Sequence, residues 1–145
     1  MSDLTVGDIV AERTFSLTRD SLVRYAGASG DFNPIHYRDD VAESVGLPGV
    51  LAHGMLTMGL AVQPVLDRFG ADRILEYGVR FTRPVLVDAT EGALVTVSAK
   101  IGVLNAEANT ARVDLTVTAA DTTVLGRAQV RVALGPRPPG TADGG

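Results

Sequence analysis

The second half of the chain alternates between apolar and polar residues with a period of two, and this pattern constrains the fold most. Apolar or small side chains occupy every second position over residues 95–101, 113–119 and 124–134. Successive side chains of a strand point to opposite faces, so each segment is predicted to be a half-buried antiparallel strand. Residues 77–83 are predicted to form a further strand and residues 10–15 an edge strand, with hairpins at 105–109 and 121–123.

One helix is predicted to lie against this sheet. Residues 54–69 carry apolar side chains at spacings of three and four, and further apolar residues cover the other sides. A helix that is apolar nearly all round is a buried one. Two shorter helices are also predicted. The first begins after a cap at Thr18 or Ser21 and ends near residues 27–30, and the second covers residues 38–45. We therefore predict one α+β domain over residues 1–135, an antiparallel sheet wrapped around a long buried helix, and a disordered tail over residues 136–145.

Composition excludes several classes of function. The 145 residues include no cysteine, which rules out disulfides, a thiolate nucleophile and cysteine-bound metal. There are only two histidines, so we expect no metal centre and no cofactor. The net charge of −4 argues against nucleic-acid binding. Residues 1–14 lack a secretory signal and no apolar run could span a bilayer, so we expect a cytoplasmic protein.

The strongest candidate for chemistry is the segment DFNPIH, residues 31–36. It is dense in turn-forming residues, and Pro34 disfavours a helical conformation at Asn33, so the segment is predicted to be a loop. Such a loop can bring the carboxylate of Asp31 and the imidazole of His36 to one cleft. This pair can transfer protons in both directions near neutral pH without a covalent nucleophile. The alternative is that Asp31 only caps the turn and His36 makes a structural polar contact.

A second candidate lies at the start of the buried helix, where the sequence reads LAHGM over residues 51–55. The first-turn amides of a helix have no partner within the helix and carry partial positive charge, so the Gly54 N–H could bind the oxygen of a polarised carbonyl. Gly54 could equally serve to pack the helix tightly against the sheet. His53 is predicted to be a structural or orienting residue rather than a second base.

Three segments resemble the MaoC-like (R)-specific enoyl hydratases. They read YAGASGDFNPIH over residues 25–36, GVLAHGM over 49–55 and YGVRFTRPV over 77–85. The resemblance covers nearly the whole chain before Gly135. It implies a hotdog fold, which agrees with the sheet and buried helix predicted above. Within the family, the chain looks most like the catalytic B subunits of mycobacterial-type (3R)-hydroxyacyl-ACP dehydratases.

The resemblance places the family's catalytic dyad on Asp31 and His36 and its oxyanion-binding amide on Gly54, while Asn33 would orient the dyad. It implies reversible addition of water to a trans-2-enoyl thioester, giving a (3R)-3-hydroxyacyl thioester of acyl carrier protein or coenzyme A. Loss of the C2 proton builds negative charge on the thioester oxygen, which the Gly54 N–H would stabilise. We expect His36 to exchange this proton and Asp31 to act at C3, although the reverse assignment is possible.

The arginines that flank Phe81 are candidates for carrier binding. Arg80 and Arg83 could meet the phosphates of coenzyme A or of the phosphopantetheine arm, or they could simply lie on a solvated strand face. The open edges of a single hotdog sheet call for pairing. The resemblance implies a homodimer, or a heterodimer with another hotdog subunit.

Several functions are compatible with these features. The dehydration step of fatty-acid elongation is favoured, and an (R)-specific enoyl-CoA hydratase of β-oxidation or polyester supply would use the same dyad. The intact dyad disfavours a non-catalytic subunit that only shapes an acyl channel. A hotdog thioesterase would need an acidic residue on the buried helix, and none precedes Asp67.

Overall fold

The computed structural model describes residues 3–135, which form five β-strands and three α-helices. The strands are β1 (Ile9–Leu17), β2 (Ile74–Phe81), β3 (Ala93–Asn105), β4 (Thr110–Ala119) and β5 (Thr122–Ala133). The helices are α1 (Arg19–Ser29), α2 (Asp39–Ser44) and α3 (Gly54–Phe69), with short 3-10 helices at Pro34–His36 and Ala71–Arg73. In this part of the chain no helix has the length and apolarity needed to cross a membrane. The predicted tail at residues 136–145 lies outside the described residues.

The strands form one antiparallel sheet in the order β1-β3-β4-β5-β2, which leaves β1 and β2 at its edges. The period-two pattern predicts the buried face of the three central strands. Their buried side chains include Val95, Val97, Ala99 and Ile101 on β3, Ala111, Val113, Leu115 and Val117 on β4, and Val124, Ala128, Val130 and Val132 on β5. The predicted sheet and the predicted edge strand are confirmed.

Helix α3 packs on the inner face of this sheet. Ala61 and Val65 are fully buried in the same apolar cluster as the central strands. A small side chain at Ala61 lets the helix approach the sheet closely, as a close-packed interior requires. From β2, the Tyr77 hydroxyl donates a hydrogen bond of 2.6 Å to the Met58 carbonyl, and burial raises the pKa of Tyr77 to about 12. One sheet around one buried helix is the hotdog fold, as the resemblance implied.

Strand β2 lies a few residues earlier in the chain than its predicted range of 77–83, at Ile74–Phe81. After Phe81 the backbone leaves the ladder, because the amides of Thr82 and Arg83 both turn to the carbonyl of Val124. This change of direction carries the chain across the end of the sheet that lies nearest the start of α3. It also decides which of the two arginines faces the candidate site.

A short antiparallel bridge joins the loop that precedes α3 to the loop that follows β2. The Ala52 amide donates to the Val85 carbonyl at 2.9 Å, and the Val87 amide donates to the Val50 carbonyl at 3.0 Å. Leu51, at the centre of this bridge, donates its amide to the Ile35 carbonyl at 3.2 Å. The bridge therefore fixes the loop of residues 31–36 relative to the start of α3.

Arg19 ties the helices on either side of that loop to the bridge. Its guanidinium forms two hydrogen bonds with the carboxylate of Asp39, at 3.0 and 2.8 Å, and its Nε donates to the Val87 carbonyl at 2.6 Å. The Arg19 side chain holds the pKa of Asp39 below its usual value, mainly through these hydrogen bonds. These contacts fix the start of α2, which follows the loop, relative to the start of α1 and to the bridge.

Candidate active site

The loop of residues 31–36 is shaped by its own polar side chains. α1 ends at Ser29 and is capped by Gly30, whose φ of 79° lies in the left-handed region that glycine adopts readily. The Asn33 amide then donates to Oδ1 of Asp31 at 3.1 Å, and Oδ1 of Asn33 accepts from the Ile35 amide at 3.2 Å. These turns start the 3-10 helix that ends at His36. The result places Oδ2 of Asp31 3.9 Å from Nε2 of His36.

The orientation of the His36 ring is set by the backbone of Leu51. Nδ1 of His36 lies 2.7 Å from the Leu51 carbonyl oxygen. A carbonyl oxygen can only accept, so Nδ1 carries the hydrogen. In the neutral ring Nε2 is therefore unprotonated, and its lone pair is available on the side of Asp31. His36 is buried, so its motion within the site is restricted.

His53 contacts both members of the Asp31–His36 pair. Its ring stacks on that of His36 with 3.8 Å between the ring centroids. The ring of Tyr25 also contacts the His53 ring, in an edge-to-face arrangement with 4.7 Å between the centroids. Nε2 of His53 donates to the backbone carbonyl of Asp31 at 3.1 Å. Burial lowers the pKa of His53, which favours a neutral imidazole beside the ring of His36. Its Nδ1 has no hydrogen-bond partner among the described residues.

A pocket of about 330 Å³ opens beside His36. It is mostly apolar, and its lining comprises His36, Leu51, Ala52, Gly54, Thr57, Phe81, Thr82, Arg83, Pro84, Val85, Val124 and Leu125. As the first residue of α3, Gly54 has an N–H with no acceptor within the helix. A Cβ at Gly54 would lie 3.1 Å from the Phe81 ring, so glycine keeps this wall of the pocket open.

The structure brings together most of the residues that the sequence singled out. His36, Gly54 and Arg83 line the pocket. Asp31 and His53 lie next to His36, and Asn33 shapes the turn between Asp31 and His36. Arg80 is exposed on β2 opposite Gly126 and does not line the pocket. Its separation from Arg83 follows from the turn of the backbone after Phe81.

Sequence reasoning missed two features of the site. One is the Leu51 carbonyl, because a backbone acceptor leaves no signal in a sequence. The other is Thr57, which is buried and lines the pocket. A signal for Thr57 existed, since it is a polar residue in the first turns of a helix that is otherwise almost entirely apolar.

Asp31, His36 and His53 also place possible metal-ligand atoms within 4.8 Å of one another. A metal ion bound to imidazole lies close to the plane of the ring. The two rings are stacked with only 22° between their planes, so a single ion cannot lie close to both planes. This arrangement suits proton transfer better than metal binding.

Comparisons with known proteins agree with this site. Residues 5–119 match the family model described as MaoC like domain. The 3-hydroxyacyl-thioester dehydratase X of Mycobacterium tuberculosis is 40% identical over 79 residues, which are 54% of this chain and 28% of that protein. A solved MaoC-like dehydratase superposes with a TM-score of 0.89 and 38% identity over 92% of this chain and 41% of that one.

A third relative is closer to this chain in length. The R-hydratase PhaJ1 of Pseudomonas aeruginosa, in its unliganded form, superposes with a TM-score of 0.72 and 27% identity over 93% of this chain and 84% of that one. By contrast, the chain spans only 28% of the mycobacterial dehydratase. The family match nevertheless includes the whole loop of residues 31–36 and all of α3. The chain belongs to the MaoC-like domain family.

Proposed function

We propose that this chain catalyses the reversible hydration of trans-2-enoyl thioesters to (3R)-3-hydroxyacyl thioesters. The observation that carries the proposal is the pair formed by Nε2 of His36 and the Asp31 carboxylate, 3.9 Å apart, beside a pocket that both His36 and Gly54 line. In the neutral ring Nε2 has no hydrogen, because Nδ1 donates to the Leu51 carbonyl. The dehydratase and R-hydratase relatives support it. The dehydration step of fatty-acid elongation is the favoured role, and hydration in β-oxidation or polyester supply is the second.

The tautomer of His36 favours one assignment of the two protons. In the dehydration direction, Nε2 of His36 takes the C2 proton, since its lone pair is free when Nδ1 donates to Leu51. Asp31, in its acid form, gives a proton to the C3 hydroxyl, which leaves as water. The proton on His36 then returns to Asp31 for the next cycle, and hydration runs through the same steps in reverse.

The spacing of the pair leaves room for the water that is added or lost. At 3.9 Å, Oδ2 of Asp31 and Nε2 of His36 are too far apart for a direct hydrogen bond. A water molecule about 2.8 Å from both atoms fits between them at the apex of a triangle. Such a water would be oriented by both groups at once, which favours its transfer to C3.

The Gly54 amide would stabilise the charge that forms on the thioester oxygen. Removal of the C2 proton is difficult because that carbon is only weakly acidic. A helix N-terminus supplies a fixed donor with partial positive charge, and the apolar walls of the pocket strengthen its interaction. Because Gly54 lines the pocket together with His36, one acyl group can reach both.

A thioesterase is disfavoured by the position of Asp67. This carboxylate lies near the far end of α3, is 65% exposed and pairs with Arg13 at 3.4 Å. It does not line the pocket beside His36. No other acidic residue lies on α3.

We propose that the active form is a dimer of hotdog subunits. It consists either of two copies of this chain or of this chain and a second hotdog protein. Within residues 3–135, the edge strand β2 pairs only with β5. Near it, Met55 and Phe81 are 59% and 56% exposed around the start of α3, so two large apolar side chains lie uncovered at this edge. A second subunit along this edge would cover both.

We expect Asp31→Asn and His36→Ala each to lower the rate of enoyl-thioester hydration by about 10²–10⁴-fold, because each removes one of the two proton-transfer groups. The measurement is the loss of conjugated enoyl-thioester absorbance with crotonyl-, octenoyl- and dodecenoyl-CoA. Asp67→Asn is the matched control and should keep full activity. Near-normal turnover in both folded dyad variants would contradict the proposal, as would a folded wild-type protein inactive on both coenzyme A and carrier-protein thioesters.

The contribution of the Gly54 amide can be isolated with two variants. Gly54→Ala adds a Cβ near Phe81 but keeps the N–H. Gly54→Pro removes the N–H at a position where helices tolerate proline, and the φ of −59° and ψ of 132° at His53 suit a residue before proline. We expect kcat of Gly54→Pro to fall about 10²-fold below that of Gly54→Ala. Equal kcat values would exclude the amide as a donor to the developing charge.

Arg83, which lines the pocket, is proposed to bind the carrier phosphates, and Arg80 serves as the comparison because it lies away from the pocket. We expect Arg83→Ala to raise KM for crotonyl-CoA about threefold to fivefold with kcat unchanged, an effect typical of an exposed ion pair. Arg80→Ala should have a smaller effect. The KM for a crotonyl thioester of N-acetylcysteamine, which has no phosphate, should not change. An equal increase for both thioesters would contradict the phosphate role.

A further inference from the structure

Three polar side chains are buried in the part of the chain that the structure describes, and they lie together. They are His36, His53 and Thr57. His53 stacks on His36, and Thr57 contacts the backbone of His53 from one turn further along α3. The two histidines have roles in the site already described. Thr57 is only 3% exposed and has none.

The hydrogen bond of the Thr57 hydroxyl does not explain its burial. Oγ1 lies 3.4 Å from the His53 carbonyl oxygen, whereas a good hydroxyl hydrogen bond is about 2.7–2.8 Å long. That carbonyl already accepts the backbone amide of Thr57 at 3.2 Å. The hydroxyl can therefore turn away without leaving the carbonyl unpaired. A valine of the same shape would suit this apolar helix better, because a poorly paired buried hydroxyl is unfavourable.

The position of Thr57 points to a role in the pocket. Residues three apart on a helix share one face, so Thr57 and Gly54 lie on the same side of the first turns of α3. Both line the pocket beside His36. Sites that stabilise an oxyanion commonly use two donors. Gly54 and Thr57 are the two residues of α3 that line the pocket, and each carries a group that can donate: the Gly54 amide and the Thr57 hydroxyl.

We propose that the Thr57 hydroxyl is a second donor to the thioester oxygen, acting together with the Gly54 amide as charge develops on that oxygen. The inference rests on the proposed hydration and dehydration activity. Only rotation about the Cβ–Oγ1 bond is needed to move the hydroxyl hydrogen from the His53 carbonyl to the substrate. A neutral thioester oxygen competes weakly for this hydrogen and an enolate oxygen competes strongly. The contact is therefore made mainly in the transition state, and its loss lowers kcat more than it changes KM.

The test compares Thr57→Val, which keeps the shape and removes the hydroxyl, with Thr57→Ser, which keeps the hydroxyl. We expect Thr57→Val to lower kcat for crotonyl-CoA about 10²-fold with KM within about twofold of the wild type. Thr57→Ser should stay within about fivefold of the wild-type kcat. Thr116→Val, at an exposed position on β4, is the matched control and should have no effect.

Thermal unfolding of the same variants separates this role from a structural one. The midpoint for Thr57→Val should be no lower than that of the wild type, since valine suits the buried position. If Thr57→Val does not fold, Thr57→Ala and Thr57→Ser provide the same comparison. If the wild type is active and Thr57→Val is equally active, the inference is wrong and the proposed function still stands. An inactive wild type overturns both.

Discussion

The hydrogen bond from Nδ1 of His36 to the carbonyl of Leu51 is the interaction on which the site depends. At 2.7 Å it fixes the orientation of the ring, and it leaves Nε2 as the unprotonated atom on the side of Asp31. Leu51 is itself held by its amide bond to Ile35 and by the bridge to the loop after β2. The acceptor that sets the tautomer is therefore part of a backbone frame, and it does not rely on a flexible side chain.

The rest of the fold supplies the surroundings that this ring needs. The sheet covers one side of α3, and the first residue of α3, Gly54, lines the same pocket as His36. His53 stacks on His36, and burial favours its neutral form, so it adds no positive charge next to the ring that we propose transfers protons. Apolar walls reduce the local dielectric, which strengthens the interaction of a fixed amide with a developing negative charge.

Much of this arrangement could be predicted from the sequence, because it depends on local patterns. The period-two segments and the apolar helix specify a sheet around a buried helix. The approach of Asp31 to His36 follows from the turn made by Asn33 and Pro34. What could not be predicted depends on contacts between distant segments. The Leu51 acceptor is a backbone atom, and the stacking of the two histidines joins residues on different elements.

Arg80, Arg83 and Thr57 show two further limits of sequence reasoning. The period of a strand does not reveal where the backbone leaves the ladder after Phe81, so the two arginines could not be told apart. In a helix that is apolar on all sides, the periodicity does not show which side faces a pocket. The sequence alone therefore does not place Thr57 at the pocket.

The tautomers of the two histidines test the account most directly. The chain contains only His36 and His53, so ¹⁵N NMR correlation spectra of the imidazole rings will show two patterns, which the His36→Ala variant assigns. At a pH where both rings are neutral, we predict that His36 carries its hydrogen on Nδ1 and His53 carries its hydrogen on Nε2. A neutral His36 with its hydrogen on Nε2 would contradict the account, because the atom assigned to take the C2 proton would already be protonated.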